Sequence, residues 1–303
     1  MMRPRWPTWL RAITLALLSL FSLCASLAAY VGWRLAHPER SYAETSPEAA
    51  GLAFEDVRFA SKAGNLSLRG WFLPSDRSNR TIIIAHGYSN HRLGEVASLP
   101  LAAALVERGY NVLAFDFRAS GRSDGKLVSL GQYERYDLLG AIDYLDRRFS
   151  GRAHRAGVVG YSMGAVAALE AAALAGPRLG AMVADSAFAD MGAYLQGNLS
   201  KWSNLPTFPF NRLIIRLTPP LTGIDPRTVR PIASVRTLTL PLLFIHGTAD
   251  ALVPYQDSVD LHGAAASADK TLWLVPGAGH TTAYTAQPDA YLRRVLNFLD
   301  RTL

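Results

Sequence analysis

The chain has 303 residues, 50% of them hydrophobic, with 31 Lys and Arg against 24 Asp and Glu. That much apolar material excludes a disordered polymer, and a single Cys excludes a disulfide framework or a zinc site built on several thiolates. Of the net charge of +7, residues 1–40 carry +4 (Arg3, Arg5, Arg11, Arg34 and Arg40 against Glu39), so most of the basic excess flanks one apolar segment instead of forming a face for nucleic acid.

That segment runs without a charge from Ala12 to Trp33, AITLALLSLFSLCASLAAYVGW. As a helix it spans about 33 Å, enough for a hydrocarbon core of about 30 Å. Trp6 and Trp9 precede it and Tyr30 and Trp33 close it, as interfacial aromatics do. Arg3, Arg5 and Arg11 keep the N-terminus inside and put the rest of the chain on the outer face. The alternative is a cleaved signal peptide, for which the small residues Ala25-Ser26-Leu27-Ala28-Ala29 speak. Cys24, mid-span, reads as an apolar filler. Residues 1–36 thus read as an anchor and 37–53, polar and Pro-containing, as a tether to a folded domain over 54–303.

The domain opens with two β-like runs, Phe54–Ala60 and Leu66–Leu73, joined by the hairpin signal Lys62-Ala63-Gly64-Asn65. Strands at Thr81–Ala85, Asn111–Phe115, Ala156–Tyr161, Ala181–Ala184, Pro241–Ile245 and Thr271–Val275 then alternate with helical patterns at 94–108, 131–149, 164–175, 255–266 and 289–302. Strands apolar throughout are buried on both faces. The pattern is that of an α/β fold: a mostly parallel eight-stranded sheet begun by an antiparallel hairpin and covered by helices on both sides. Reactive groups in such sheets collect at the carboxyl ends of the strands.

At those ends stands Gly160-Tyr161-Ser162-Met163-Gly164, between a strand and an immediate helix. A turn that sharp holds Ser162 Oγ in the open above a helix N-terminus, and the two glycines remove β-carbons that would clash. A serine hydroxyl needs a base, and His280, after the last strand, is the best placed of the seven histidines. His86 and His246 read as loop braces, and His91 as a residue at the mouth of the site. The carboxylate partner of His280 is read as Asp250, with Asp185 and then Asp257 as rivals. The oxyanion donors are read as the backbone N–H groups of Met163 and Tyr88; the Tyr88 ring can also pack on the acyl site.

These residues, with His86-Gly87-Tyr88, Asp116-Phe117-Arg118-Ala119-Ser120-Gly121-Arg122-Ser123, His246-Gly247-Thr248-Ala249-Asp250 and Gly279-His280, make the chain resemble the α/β-hydrolase superfamily of serine hydrolases. Within it, the resemblance is to the membrane-anchored lysophospholipase and serine-aminopeptidase-like group. It implies an α/β-hydrolase fold with a small lid, and covers residues 54–302. Ala119 departs from the family's usual Gly. About 55 residues separate the fourth and fifth strands of the parallel set, so residues 187–236 are expected to hold the lid. Leu205–Leu217 is either a lid helix presenting Phe208 and Phe210 to acyl chains or lipid, or a crossover helix packed on the sheet.

The expected activity is hydrolysis of carboxylic esters, of the lysophospholipid or monoacylglycerol kind, through a Ser-His-Asp triad and an acyl-enzyme. A peptidase or amidase, an acyltransferase and a non-catalytic membrane-attached binding module are the alternatives. The absence of any acidic residue from 191–217 lowers the aminopeptidase reading, which calls for an anchor for the peptide terminus. No phosphate-binding or dinucleotide fingerprint occurs, so no cofactor and no metal is expected.

Overall fold

A computed structural model of the chain describes residues 7–75, 79–150 and 154–303. Arg3, Arg5 and Trp6, three of the residues expected to flank a membrane span, lie outside the described residues.

Eight strands form one sheet: β1 (Glu55–Ala60), β2 (Ser67–Leu73), β3 (Arg80–Ala85), β4 (Asn111–Phe115), β5 (Arg155–Tyr161), β6 (Leu179–Asp185), β7 (Leu242–Gly247) and β8 (Lys270–Val275). Their spatial order is β1-β2-β4-β3-β5-β6-β7-β8, with β2 antiparallel to its two neighbours and every other pair parallel. The inner strands are buried on both faces because alternate side chains enter different cores. Ile83, Leu113, Phe115 and Val158 point to one, and Ile82, Ile84, Val112 and Val159 to the other. Helices α3 (Glu134–Arg148), α4 (Met163–Ala175) and α8 (Tyr255–Ala264) cover the first face. Helices α2 (Ser98–Glu107) and α10 (Pro288–Thr302), preceded by the single turn α9 (Ala283–Ala286), cover the second.

Helix α2 begins four residues later than its apolar pattern predicts. The segment before it turns so that the Glu95 carboxylate can accept from Gly87 N–H (3.0 Å) and Asn90 Nδ2 (3.0 Å), a local competitor to helix formation.

Between β6 and β7 lie α5 (Met191–Ser203), α6 (Thr207–Thr222) and the single turn α7 (Pro231–Ser234). Helix α6 packs mainly on α5 and on α1 (Thr8–Ala36), not on the sheet, which favours the lid over the crossover helix.

Helix α1 is the one described helix long and apolar enough to cross a membrane, judged by length and composition. Its first two thirds are bare: Leu15, Leu17 and Leu23 are 65%, 61% and 66% exposed. Its last turns are not. Ala28, Gly32 and Ala36, four residues apart on one face, are buried, Ala28 and Gly32 against α5 and α6 and Ala36 in the core of the first sheet face. A Cβ at Gly32 would stand 2.2 Å from Thr218 Oγ1, so the close approach of α1 to α6 depends on that glycine. The expected span to Trp33 therefore includes two turns that pack on protein.

The expected tether is docked too. Just before it Ala36 C=O, the end of the expected anchor, accepts from Val128 N–H (2.9 Å), and within it the Arg40 guanidinium donates to the carbonyls of Gly121 (2.9 Å), Ser123 (2.6 Å) and Gly125 (2.6 Å). These partners lie more than 80 residues away, so the local composition of 37–53 carried no sign of them.

Candidate active site

Ser162 joins β5 to α4 with φ 50° and ψ −117°, a left-handed backbone that few non-glycine residues adopt. The strain is held by packing. A Cβ at Gly160 would lie 2.6 Å from Ala165 Cα, and one at Gly164 would lie 2.1 Å from the Ala85 carbonyl oxygen. Only glycine lets α4 start this close to β3 and β5.

His280 follows β8 on a loop tied to the one after β7. Ala249 N–H donates to Ala278 C=O (2.9 Å), and Gly277 N–H to Thr248 Oγ1 (3.0 Å). Across this junction His280 Nδ1 lies 2.7 Å from Asp250 Oδ2, and His280 Nε2 lies 2.8 Å from Ser162 Oγ. The carboxylate is an acceptor only, so the proton sits on Nδ1 and leaves Nε2 free to accept from the serine hydroxyl. Residues 162, 250 and 280, scattered along the chain, meet at one rim of the sheet.

The Asp250 side chain is fully buried and held by four donors. Oδ1 accepts from Leu252 N–H (2.8 Å) and Val253 N–H (2.9 Å), and Oδ2 from His280 and from His246 Nε2 (3.1 Å). Burial alone would raise its pKa, but the hydrogen bonds from His246 and His280 outweigh burial and hold the carboxyl well below its usual range. His246 is thus a brace, as its place before Gly247 implied, and its Nδ1 is in turn 2.7 Å from buried Ser258 Oγ.

The rivals to Asp250 are engaged elsewhere. Asp185 accepts from Ser186 Oγ (2.8 Å) and Tyr291 Oη (3.2 Å), and burial pushes its pKa up to about 6. Asp257 accepts from Ala189 N–H (3.2 Å).

Gly87 lies against the serine: an added Cβ would be 3.6 Å from Ser162 Cβ. The next residue is Tyr88. Within the described residues neither Tyr88 N–H nor Met163 N–H, the latter on the first residue of α4, has an acceptor in the protein. The Tyr88 hydroxyl donates to Leu35 C=O of α1 (2.7 Å), and burial pushes its pKa up to about 12.

Other expected residues stand further off. His91 lies in the turn before α2; its Nδ1 is buried without a partner, and burial lowers its pKa. Phe208 is 76% exposed, and Phe210 packs in the α1–α6 seam with Val31 and Leu35. Neither phenylalanine lines the cavity that adjoins Tyr88.

Glu95 was missed by the sequence reading. Besides holding Gly87 N–H, its Oε2 lies 3.4 Å from Thr281 Oγ1, so it links the Tyr88 loop to the His280 loop. Its sign was an acidic residue in an otherwise apolar pattern. Among the described residues no group of His, Cys, Asp and Glu has the arrangement of a metal site.

The chain is 32% identical over 253 residues to the uncharacterized protein YfhR of Escherichia coli O157:H7, covering 81% of this chain and 80% of that protein. It is 30% identical over 236 residues to the uncharacterized protein YqkD of Bacillus subtilis, covering 77% and 75%. Its structure is similar to that of the Pyrococcus furiosus esterase PF2001, with TM-score 0.75 and 26% identity over 89% of this chain and 98% of that one. The model of the alpha/beta hydrolase family matches residues 82–294, a stretch that holds six of the eight strands, the Ser162 turn and both loops that meet it. By sheet order, by the strand–Ser–helix turn and by that match, this chain belongs to the alpha/beta hydrolase family.

Proposed function

We propose that the chain is a serine hydrolase that cleaves carboxylic esters, held at a membrane by α1 with its domain on the outer face. The observation that carries this reading is the unbroken relay of 2.8 Å and 2.7 Å from Ser162 through His280 to Asp250. In the proposed reaction Ser162 Oγ attacks the ester carbonyl as its proton passes to His280 Nε2. The Tyr88 and Met163 N–H groups receive the oxyanion, each such donor being typically worth about 3 kcal/mol. The tetrahedral centre collapses and the C–O bond to the alcohol breaks. His280 gives its proton to the departing oxygen, and an acyl-Ser162 ester remains. Water then attacks that ester while losing a proton to His280; the acid departs and Ser162 regains its proton. Asp250, held ionised, stabilises the imidazolium throughout.

Esters are favoured over amides because an alkoxide leaves with less help from the general acid than an amine. The likeness to the P. furiosus esterase supports the same choice. The bare apolar side chains of α1 favour lipid-derived esters with one acyl chain, such as lysophospholipids or monoacylglycerols.

The test is labelling by a fluorophosphonate, wild type against Ser162→Ala, followed by turnover of matched ester and amide panels. Wild type labels and Ser162→Ala does not; labelling that persists in the variant overturns the assignment of the nucleophile. Protease added to spheroplasts, whose cytoplasmic membrane is intact and outer barrier removed, should digest the periplasmic or extracytoplasmic domain, and full protection would overturn the orientation.

A further inference from the structure

An apolar cavity of about 80 Å³ lies between α1, α5 and α6. A single water needs about 10–15 Å³ by the same measure, so the cavity as it stands admits a run of several methylenes. Leu35 contributes from α1, Leu195 and Leu199 from α5, Ile214 and Ile215 from α6, and Tyr88 from the loop beside Ser162. The polar groups around it are engaged with the protein. Tyr88 Oη donates to Leu35 C=O (2.7 Å), Trp202 Nε1 donates to Tyr194 Oη (2.9 Å) and Ser129 Oγ donates to Glu134 (2.6 Å). Thr218 Oγ1 is the one side-chain group on the wall that is buried and without a partner. A ligand there finds hydrocarbon and almost nothing to hydrogen-bond, which selects an aliphatic chain over a sugar, peptide or charged group.

On the reading of Ser162 as an ester-cleaving nucleophile, we propose that α1 is part of the substrate site: its last turns form one wall of the pocket for the acyl chain of a bilayer amphiphile. The pocket adjoins the reacting centre at Tyr88, which lines it and follows Gly87, itself against Ser162; Ser162, Asp250 and His280 do not line it. It reaches the bilayer through α1 itself, whose exposed leucines continue directly into the wall at Leu35. The helix is fixed to the site at three points: the Gly32–Thr218 contact, the Ala36–Val128 hydrogen bond and the Tyr88–Leu35 hydrogen bond. One helix thus serves as anchor and as acyl-site wall.

The experiment uses the full-length chain in phosphatidylcholine nanodiscs with p-nitrophenyl esters from acetate to dodecanoate, read as kcat/KM against chain length. Wild type should gain about fourfold per methylene until the cavity is filled. Leu35→Trp, which fills the cavity from the α1 side, should lower the octanoate-to-acetate ratio at least tenfold. Leu35→Ala should move the optimum to longer chains. Leu20→Trp, on the part of α1 that is bare (57% exposed), should leave the ratio unchanged. A variant that only misfolds lowers all esters together, so opposite shifts from the two Leu35 variants are a readout that misfolding does not produce. Acetate hydrolysis with a flat profile, or a profile that neither Leu35 variant moves, overturns the proposal alone. Absence of acetate hydrolysis in the wild type overturns instead the serine-hydrolase reading beneath it.

Discussion

Asp185→Asn separates the two buried carboxylates near His280. Asp185 is 1% exposed, and burial lifts its pKa from 3.8 to about 6. An acid whose folded pKa lies above its unfolded value opposes folding once ionised. Its cost is absent below about pH 4, grows as pH rises through the window from about 4 to 6, and is complete above it. A rise of about two pKa units corresponds to about 3 kcal/mol at pH 8. Asparagine can replace the acceptor facing Ser186 Oγ and meet Tyr291 Oη with its amide, so it removes the ionisation and keeps the shape. Asp185→Asn should therefore melt about 5–10 °C above wild type at pH 8 and near wild type at pH 4, by thermal unfolding in detergent micelles. Ester turnover should persist, because Asp185 does not touch His280. An equal melting shift at both pH values would refute the burial argument. A loss of turnover as large as that of Asp250→Asn would refute the assignment of the acid.

Asp250→Asn should lower kcat by about 10³–10⁴ with little change in KM, since it reverses the tautomer that His280 needs, and steady-state kinetics on a soluble ester reads it. His246→Phe removes one of four donors to Asp250, a hydrogen bond to an ionised group worth about 1.5–3 kcal/mol. Its kcat should fall about 10- to 100-fold, between wild type and Asp250→Asn, and a value at either extreme counts against the shared load. Gly164→Ala puts a methyl 2.1 Å from Ala85 C=O and 2.5 Å from His86 C=O, both backbone. It should cost about 3 kcal/mol or more and abolish fluorophosphonate labelling, and a normally melting, labelled variant would show that the turn can relax.

The sheet was legible because its signals are local. Each strand is a short apolar run closed by a polar or glycine-rich turn, and all eight expected strands are present within two residues of their expected bounds. The meeting of Ser162, Asp250 and His280 was legible for a different reason: parallel strands deliver their following loops to one rim, so residues far apart in the chain have few places to go. Contacts set by neither rule were missed. Glu95 fell inside an apolar helical pattern, and although its charge stood out there, nothing local said which N–H it would hold. Ala119, where the resembling family has glycine, takes φ 57°, a position that glycine occupies at no steric cost and alanine at about 1–2 kcal/mol.

Helix α1 shows the limit most clearly. Its run is apolar and uncharged throughout, so a hydropathy window counts Leu17 and Ala28 into one span, although one is 61% exposed and the other fully buried. What separates the two parts is residue size on one face: Ala28, Gly32 and Ala36 recur every four residues and let α6 approach, while the earlier turns carry leucines outward. From Trp9 to Leu27 the helix is about 28 Å long, close to the thickness of a hydrocarbon core, and the docking begins where that length is used up. The bare part and the part that packs on α6 overlap over the last turns, where Tyr30 (55% exposed) and Trp33 (46% exposed) are interleaved with buried Ala28, Gly32 and Ala36. On the proposed membrane-bound reading, α1 would hold α6 close to the bilayer surface, because Arg40 and Ala36 fasten its C-terminal end to the domain before the chain enters β1.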